Sequence, residues 1–541
     1  MKKIGRRAYL KQSLGFLAAT VFLDGCSSES RNKERLKDHG LNVYFGDLHN
    51  HNSVGYGLGS LERSFDIAHS HLDFYCFTPH AYGDYDVTPT MVKDILADKM
   101  NRPYIRMTYE RWPDVLALVK SHHKPGTFVT FPGYERHSSA IGDYCSIFPY
   151  DDAPLVYFKE LKDYQNHIRE SGALTWQHHP AYPEASSGAI PRLWDPQVTP
   201  LLEIFSEHGN AECDTAPEDY VRHSGRGRMT SQTMQSFLAA GYRFGVVAST
   251  DDHLGFPGAY GEGKAAVIAK ELTREAIFDA LKKRRTYGVS GDKIKVDFRV
   301  NDGLMGEELP YTRKREIIAA IQGWDWIDKV EVLKNNLVIH RDFPFDFRIS
   351  SNLWDKPVLI RMEYGWGGMA TNQTPLDRVH PVHDWDMKIS FGDSKILEMQ
   401  PCWQSGPMEE HRRHRISERT EHGFKLHSYT SRRRAFKQRD TNAVVVKLKG
   451  SPGDYLTIDL IKPEPTTVKV KLSEVLEGDH NARTKDGSMK IHRIIPEVNT
   501  QMTFSINDDG DGHQTDWYYL RILQKNGQLA WSSPIWVEKK S

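Results

Sequence analysis

The sequence GDLHNHNS, residues 46–53, places His49 and His51 one residue apart, directly after the apolar run Val43-Tyr44-Phe45. If the chain forms a β-strand here, side chains two residues apart point to the same side, so both imidazole rings face one point. Two imidazoles placed in this way can bind one metal ion. The spacing therefore indicates a metal site.

Short β-rich runs alternate with helical runs between about residues 41 and 290. The predicted strands are Val43–Leu48, Phe74–Thr78, Thr127–Phe131, Ala173–Gln177, Leu201–Phe205 and Phe244–Ser249. The predicted helices are Leu61–Ser70, Pro113–Ser121, Pro154–Ser171, Gln232–Ala240 and Thr273–Arg284. This alternation predicts an α/β fold, a parallel sheet or barrel with helices outside, in which the chemistry lies at the carboxyl ends of the strands.

A histidine or a carboxylate follows each predicted strand. These residues are His49 and His51, His80, Glu135, His178 and His179, Glu207 and His208, and Asp251 to His253. Imidazole and carboxylate ligands suit zinc, manganese or iron, and neighbouring ions need carboxylates to offset their charge. We predict a centre of one to three divalent transition-metal ions. Asp47 is predicted to lie behind the ligands and to fix the tautomer of one of the histidines.

These motifs resemble, in the same order, those of the polymerase and histidinol phosphatase (PHP) superfamily, in particular its exported branch. The motifs are Asp47 to His51, Asp73 to His80, Gly133 to Glu135, His179-Pro180 and Ser249 to His253. The resemblance implies a distorted (β/α)7 barrel over residues 41–290 that holds up to three ions. The implied metal ligands are His49, His51, His80, Glu135, His179, Asp251 and His253, with Asp143 where the superfamily often has a further histidine.

Two other positions depart from the pattern of the superfamily. Pro79 stands where an aspartate usually precedes the second-motif histidine. Tyr56 stands at about the place where the loop after His51 usually offers another ligand. A centre of one or two ions is therefore an alternative to the full set of three.

The first 26 residues are predicted to be an export signal. Arg6-Arg7 resembles a twin-arginine motif, and the apolar run Leu14–Leu23 is too short to span a bilayer. Leu23 to Cys26 resembles a bacterial lipobox, which implies lipid attachment to Cys26, with residues 27–40 as a tether. We expect an exported protein that is anchored to a bacterial membrane. Ser27 after the anchor is compatible with delivery to the outer membrane, and the sequence does not distinguish the periplasmic face of that membrane from the cell-surface face.

Residues 291–541 change character and predict a β-rich, sandwich-like C-terminal domain. Residues about 375–440 are predicted to be an irregular insertion rich in His, Arg and Trp, with the charge run Glu409 to Arg415. Such a run is usually a solvated face, and the alternative is that it reaches the active site. Cys76, Cys145, Cys213 and Cys402 form no CxxC pair, which argues against a cysteine zinc site.

Overall charge indicates which partners are excluded. Lys plus Arg number 71 and Asp plus Glu number 71, so no net charge draws the chain to nucleic acid or to an anionic membrane. A small anionic or oligosaccharide substrate must therefore be bound by local groups. Oligomeric state is left open by the sequence.

Three functions fit these features. The first is a metal-dependent hydrolase of phosphoester or ester bonds in an anionic substrate, for which a carbohydrate is one class. Its predicted substrate-binding residues are Arg222, Arg226, Arg228 and Lys264, and its predicted proton donors are His208 and His223. The second is a metal-dependent lyase or dehydratase of uronic-acid oligosaccharides, with Tyr56 or Tyr82 removing a proton. The third is a non-catalytic glycan-binding lipoprotein.

Overall fold

The computed structural model describes most of the chain. The described residues are 40–81, 103–138, 141–158, 160–184, 187–216, 228–343, 353–365, 382–404, 406, 409–431, 441–484 and 487–539. The predicted signal with Cys26, and Tyr82, Arg222, His223 and Arg226, lie outside these residues. Within the described residues, no helix is both long enough and apolar enough to cross a lipid bilayer.

The N-terminal half mixes helices and strands. Its strands are β1 (Asn42–Asp47), β2 (Phe74–Phe77), β3 (His80–Ala81), β4 (Val129–Arg136), β5 (Tyr144–Ile147), β6 (Leu174–Gln177), β7 (Leu201–Ser206), β8 (Gly209–Asn210), β9 (Gly245–Ala248), β10 (Lys264–Ala269) and β11 (Thr286–Val289). Its helices are α1 (Leu61–His71), α2 (Pro103–Glu110), α3 (Trp112–His122), α4 (Leu161–Glu170), α5 (Met234–Ala239) and α6 (Arg274–Lys282). Short 3₁₀ helices lie at Pro191–Leu193 and Thr230–Gln232.

The strands that precede the predicted ligands are mostly parallel neighbours. Parallel pairs join β1 to β2, β2 to β4, β6 to β7 and β7 to β9. A parallel bridge between Asn50 and Asp252 links the chain just past β1 to the chain just past β9. The carboxyl ends of these strands therefore lie at one edge, as the sequence predicts.

Two strands inside the sheet depart from the predicted parallel pattern, and one of them, β10, runs antiparallel to β1 and β11. Strand β5 runs antiparallel to both β4 and β6. The connection from Arg136 to Tyr144 is too short for a crossover helix, and a short connection allows only an antiparallel neighbour. The mixed α/β fold is confirmed, and the distorted (β/α)7 barrel stays a prediction.

Local signals explain where the helices begin. Ser60 caps α1, its hydroxyl accepting a hydrogen bond from the Arg63 backbone N–H, and Thr273 caps α6 in the same way. The predicted helix from Pro154 is shorter in the structure, because it begins only after Glu160, whose backbone is extended.

The C-terminal half is built almost entirely of strands. They are β12 (Lys295–Val300), β13 (Gly303–Leu304), β14 (Glu308–Pro310), β15 (Lys314–Gln322), β16 (Ile327–Lys334), β17 (Leu337–Asp342), β18 (Val358–Gly365), β19 (Val382–Ser390), β20 (Lys395–Cys402), β21 (Arg415–Ser417), β22 (Gly423–Ser431), β23 (Thr441–Lys449), β24 (Tyr455–Lys462), β25 (Thr466–Lys471), β26 (His480–Thr484), β27 (Gly487–Ile491), β28 (Ile495–Pro496), β29 (Gln501–Asp509), β30 (Thr515–Gln524), β31 (Leu529–Ser532) and β32 (Ile535–Glu538). Helix α7 (Leu472–Glu477) lies among them, and 3₁₀ helices lie at Leu353–Asp355 and Glu497–Thr500.

Two sheets pack face to face between residues 353 and 496, which we call the inserted sandwich. One sheet has the order β20-β23-β18-β27-β26 and the other β21-β22-β19-β24-β25. The predicted irregular insertion at 375–440 is wrong in part, because β19 to β22 lie within it. Every second residue of β19 from Trp385 to Ile389, namely Trp385, Met387 and Ile389, is buried in the sandwich core. This period of two is typical of a half-buried strand.

Strands from the two halves of the chain join in one sheet, which we call the shared sheet. Strand β11 pairs with β31, and β31 pairs with β30. The buried Glu212 of the N-terminal half accepts hydrogen bonds from the Tyr519 hydroxyl at 2.8 Å and from Trp531 Nε1 at 2.9 Å. The sequence boundary at residue 290 is therefore not a break between sheets.

Candidate metal centre

Histidines and carboxylates converge at the edge where the parallel strands end. His49 and His51 follow β1, His80 opens β3, Glu135 lies near the end of β4, and Asp251 follows β9. The full set that lies together is His49, His51, His80, Glu135, His137, Asp143, His178, His179, His208, Asp251 and His253. Several trios of these residues hold their ligand atoms within 4.8 Å of one another, the spacing that binding of a shared ion requires.

The central pair is the one that the opening motif predicts. Nε2 of His49 lies 3.0 Å from Nε2 of His51, and both rings are buried. Burial, with the nearby His253, lowers the pKa of His51 to about 3, so this ring is neutral at physiological pH. Burial disfavours a charged His49 as well, yet Cys145, Asp251 and Glu203 raise its pKa well above the usual range. The two Nε2 atoms meet beside the Asp251 carboxylate, an arrangement that fits the binding of a divalent ion.

Two carboxylates lie close to the central pair. Glu135 Oε2 lies 3.0 Å from His80 Nε2 and 3.5 Å from His51 Nε2, and Asp251 Oδ1 lies 2.9 Å from His51 Nε2. Glu135 Oε2, Asp143 Oδ2 and Asp251 Oδ2 are buried and make no hydrogen bond of good geometry within the described part of the chain. Buried carboxylate oxygens that approach several imidazole nitrogens without such bonds fit atoms that share a cation. The donor set of nitrogen and carboxylate oxygen suits zinc, manganese or iron.

A further carboxylate lies on the Glu135 side of the cluster. Asp143 Oδ2 is 3.2 Å from His137 Nδ1 and 3.3 Å from His179 Nε2, and Glu135 Oε1 is 3.6 Å from His137 Nδ1. The structure thus brings Asp143 and His179 to the cluster, as the sequence predicts, and adds His137 to them.

Two ligand candidates have unusual backbone conformations. Asp251 has φ 52° and His179 has φ 26°, values in the left-handed region that residues with a β-carbon rarely adopt. A hydrogen bond from Asp251 N to His49 O at 2.9 Å holds the first of these. Such strain persists where the surrounding structure fixes a side chain for function.

Asp47 lies behind the centre. The sequence predicts that it contacts a histidine ring, but within the described residues its hydrogen-bond partners are backbone N–H groups and a hydroxyl. It accepts hydrogen bonds from the Thr250 hydroxyl at 2.5 Å, from Gly258 N at 2.9 Å and from His49 N at 3.2 Å. Burial raises the pKa of Asp47 to about 6. It therefore fixes the backbone that carries the ligands, and the tautomer role predicted for it falls to Glu203.

Glu203 is the residue that orients the rings. Its Oε2 lies 3.2 Å from His49 Nδ1 and its Oε1 lies 2.6 Å from His178 Nδ1. A carboxylate on Nδ1 keeps the proton there and leaves Nε2 free for a metal. Neither Glu203, His178 nor His137 was among the predicted ligands. The available signals were an acid in the middle of the apolar strand Leu201–Ser206, a second histidine beside His179, and a histidine two residues after Glu135.

Of the predicted catalytic residues, the structure describes Tyr56 and His208, which both lie at the cluster. The Tyr56 ring stacks on His80 with centroids 4.1 Å apart and is 43% exposed, so it covers the centre from outside. His208 directs Nε2 at Asp251 Oδ2, 2.5 Å away, and its Nδ1 lies 3.1 Å from the Tyr182 hydroxyl. His208 therefore lies among the clustered histidines and carboxylates, and its role as proton donor stays a prediction.

Two predicted substrate-binding cations are held elsewhere. The Lys264 ammonium is buried and donates to the Gly291 carbonyl at 2.9 Å, where burial lowers its pKa to about 8. The Arg228 guanidinium donates to Asp214 and to the carbonyls of Asn210 and Cys213. Both cations thus donate to oxygen atoms of the protein itself, and their role in substrate binding stays a prediction.

Fold and site together define a mixed α/β protein with a buried cluster of histidines and carboxylates whose ligand atoms lie close enough together to hold a metal ion. A family model described as "Protein of unknown function (DUF3604)" matches residues 258–316. The chain is 27% identical over 164 residues to an uncharacterized protein of Chlamydia pneumoniae, covering 28% of this chain and 26% of that protein. It is 29% identical over 163 residues to an uncharacterized protein of Chlamydia muridarum, covering 27% and 26%. The chain thus matches about a quarter of the length of these relatives.

One solved structure is also similar. It is a two-domain protein from Bacteroides vulgatus that contains a predicted PHP-like metal-dependent phosphoesterase. The similarity has a TM-score of 0.31 and 12% sequence identity, and covers 80% of this chain and 96% of that chain. These values are too low to transfer an activity to this chain.

Proposed function

We propose that the protein is a metal-dependent hydrolase that cleaves phosphoester or ester bonds in an anionic substrate, with acidic carbohydrates as one substrate class. The observation that carries the proposal is the convergence of the central histidine pair with Glu135 and Asp251, whose oxygens face imidazole nitrogens inside a buried pocket. The ordered motifs that resemble the PHP superfamily support the same reaction class.

The residues of this chain have distinct roles in such a reaction. His49, His51, His80, Glu135 and Asp251 would hold the ions. Bound divalent ions supply a Lewis acid and lower the pKa of water toward neutrality. Glu203 orients His49 from behind, and the buried rings exclude bulk water from the ligand atoms. Tyr56 and the partly exposed His253 line the side from which a substrate can approach.

The test uses the soluble form that lacks residues 1–26. We expect it to contain at least one equivalent of transition metal and to hydrolyse p-nitrophenyl phosphate, bis-p-nitrophenyl phosphate or p-nitrophenyl acetate. A chelator and the double variant His49→Ala/His51→Ala should abolish both metal and turnover, while His513→Ala, an exposed histidine outside the cluster, should change neither. Metal at background in the unmodified protein would refute the proposal.

The position of Tyr56 favours elimination as a second candidate. Its exposed phenol lies over His80 at the mouth of the centre, where it could remove a proton next to a metal-bound uronate carboxylate. In that case uronate oligosaccharides should gain the ultraviolet absorbance of a conjugated double bond, and Tyr56→Phe should remove this activity while metal content stays. Glycan binding without turnover would instead support the non-catalytic lipoprotein.

We propose that the protein is exported and anchored through a lipid on Cys26. The twin-arginine and lipobox motifs within residues 1–26 support this proposal. Cells fed radiolabelled palmitate should label the full chain but not Cys26→Ala, and membrane fractionation should then locate the protein. An unlabelled full chain would contradict the anchor.

A further inference from the structure

The carboxylate of Asp251 faces two separate sets of histidines. Its Oδ1 lies 2.9 Å from His51 Nε2 and 3.4 Å from His49 Nε2, the central pair. Its Oδ2 lies 2.5 Å from His208 Nε2 and 3.2 Å from His178 Nε2. A carboxylate that offers one oxygen to each of two imidazole sets has the geometry of a bridge between two cations.

We propose that His178, His208 and Asp251 form a second ion-binding subsite beside the central pair, and that its divalent cation binds an anionic oxygen of the substrate. Neither histidine belongs to the motif ligands that the sequence implies. This inference rests on the proposed function for the substrate's role, but the binding of an ion at the subsite can be tested separately.

Both histidines of this subsite are oriented from behind. Glu203 Oε1 lies 2.6 Å from His178 Nδ1, and the Tyr182 hydroxyl lies 3.1 Å from His208 Nδ1. A partner on each Nδ1 leaves each Nε2 directed at Asp251 Oδ2. Because Glu203 also contacts His49 Nδ1, one buried carboxylate links the ring orientations of the two subsites.

The subsite is also open on one side. The side chain of His208 is 21% exposed, whereas that of His178 is 2% exposed. Three protein ligands leave a tetrahedral or larger coordination sphere incomplete, and an incomplete sphere is the mark of a site that binds substrate. A negatively charged oxygen, from a phosphate, a sulfate or a carboxylate, is the ligand that a divalent cation takes most readily at such a position.

The direct experiment is anomalous diffraction from crystals of the form lacking residues 1–26, soaked in Mn²⁺ or Zn²⁺. We expect one peak among His49, His51 and Asp251, and a second peak within coordination distance of His178, His208 and Asp251. In His208→Ala only the second peak should disappear, and the metal content in solution should fall by about one equivalent. His513→Ala should retain both peaks.

A variant that keeps every ligand guards against misfolding. Tyr182→Phe removes only the hydroxyl that faces His208, so we expect the central peak to remain and Mn²⁺ affinity at the second subsite to fall about tenfold. A central peak without a second one at saturating metal would overturn this inference and leave the proposed hydrolase intact. Loss of the central peak as well in His208→Ala would overturn the separation of the subsites, and hydrolysis without any second ion would overturn its substrate role.

Discussion

At the metal centre a single buried side chain, Glu203, faces the Nδ1 atoms of both His49 and His178. Two rings oriented by one carboxylate lose their fixed tautomers together when its charge is removed. We expect Glu203→Gln, which preserves shape, to weaken binding of the first metal equivalent about 10- to 100-fold, because an amide can accept from only one ring. Competition with a fluorescent chelator measures this directly.

The matched control for Glu203→Gln is Glu170→Gln, an exposed glutamate at the end of α4. Circular dichroism of both variants should be unchanged. Equal metal affinity in the two variants would show that Glu203 does not orient the ligands.

A second residue, Glu363 of the inserted sandwich, predicts a pH dependence. It is buried, which alone would raise its pKa, but hydrogen bonds from His492 at 2.7 Å and Thr441 at 2.6 Å, with Arg361 nearby, lower the pKa to about 2. Because the pKa of this carboxyl is lower in the folded than in the unfolded protein, its ionised form stabilises the folded protein at pH values above about 4.5, the pKa in the unfolded chain. This stabilisation is lost as the pH falls toward 2.

We therefore expect Glu363→Gln to lower the free energy of unfolding by about 2 kcal/mol at pH 7, and by much less at pH 3. Urea unfolding at the two pH values, followed by tryptophan fluorescence, measures the difference. Glu316→Gln, an exposed glutamate on β15, is the control. A penalty that stays constant between pH 7 and pH 3 would contradict the assigned pKa.

At the scale of elements, the strands that precede the ligands could be predicted because each is a short apolar run that ends at a histidine or a carboxylate. All six predicted strands are present as β1, β2, β4, β6, β7 and β9. Strand β5, Tyr144 to Ile147, was missed because it follows β4 without the intervening helix that the alternating pattern predicts. The charge of a side chain indicates which kind of group it can bind but not which partner it meets, so the sequence could not show that Lys264 and Arg228 donate to oxygen atoms of the protein itself.

Strand β19 shows what the inserted sandwich depends on. Trp385 is fully buried, donates from Nε1 to the Thr430 hydroxyl at 2.7 Å, and packs against Tyr364 with ring centroids 5.4 Å apart. Trp385→Ala should destabilise this unit by about 3–5 kcal/mol, because it leaves a cavity and an unpaired hydroxyl. Calorimetry should show the loss, and metal content below the transition should not change.

The comparison for Trp385→Ala is Leu397→Ala on the neighbouring sheet, where the side chain is 47% exposed and removal should cost little. If both variants unfold at the temperature of the unmodified protein, the inserted sandwich does not depend on its buried core.

For the whole molecule, the sequence placed a domain boundary at residue 290 that the sheets cross. Tyr287, Gly288 and Val289 of β11 pair with β31, and the Phe205 ring stacks on Trp531 with centroids 5.6 Å apart. No local pattern could show this, since the paired strands lie more than 200 residues apart and register between distant strands is set by packing rather than by composition. The chain thus leaves the shared sheet for the inserted sandwich and returns to it.

This closure predicts that residues 41–290 do not fold alone. Without the C-terminal strands, β11 becomes an unpaired edge, and buried Glu212 loses Tyr519, Arg521 and Trp531. The truncation also exposes to water the apolar side chains of β7 and β9 that pack against Leu523, Trp531 and Trp536, and the loss of this burial removes a large part of the stability of an ordinary domain. We expect residues 41–290 to aggregate or to unfold without cooperativity and to bind metal weakly, while residues 41–541 unfold cooperatively with full metal content. Circular dichroism melts and metal analysis of the two fragments test this prediction. A cooperative transition with bound metal in the shorter fragment would show that the strands after residue 290 are dispensable and that the metal centre depends on the N-terminal half alone.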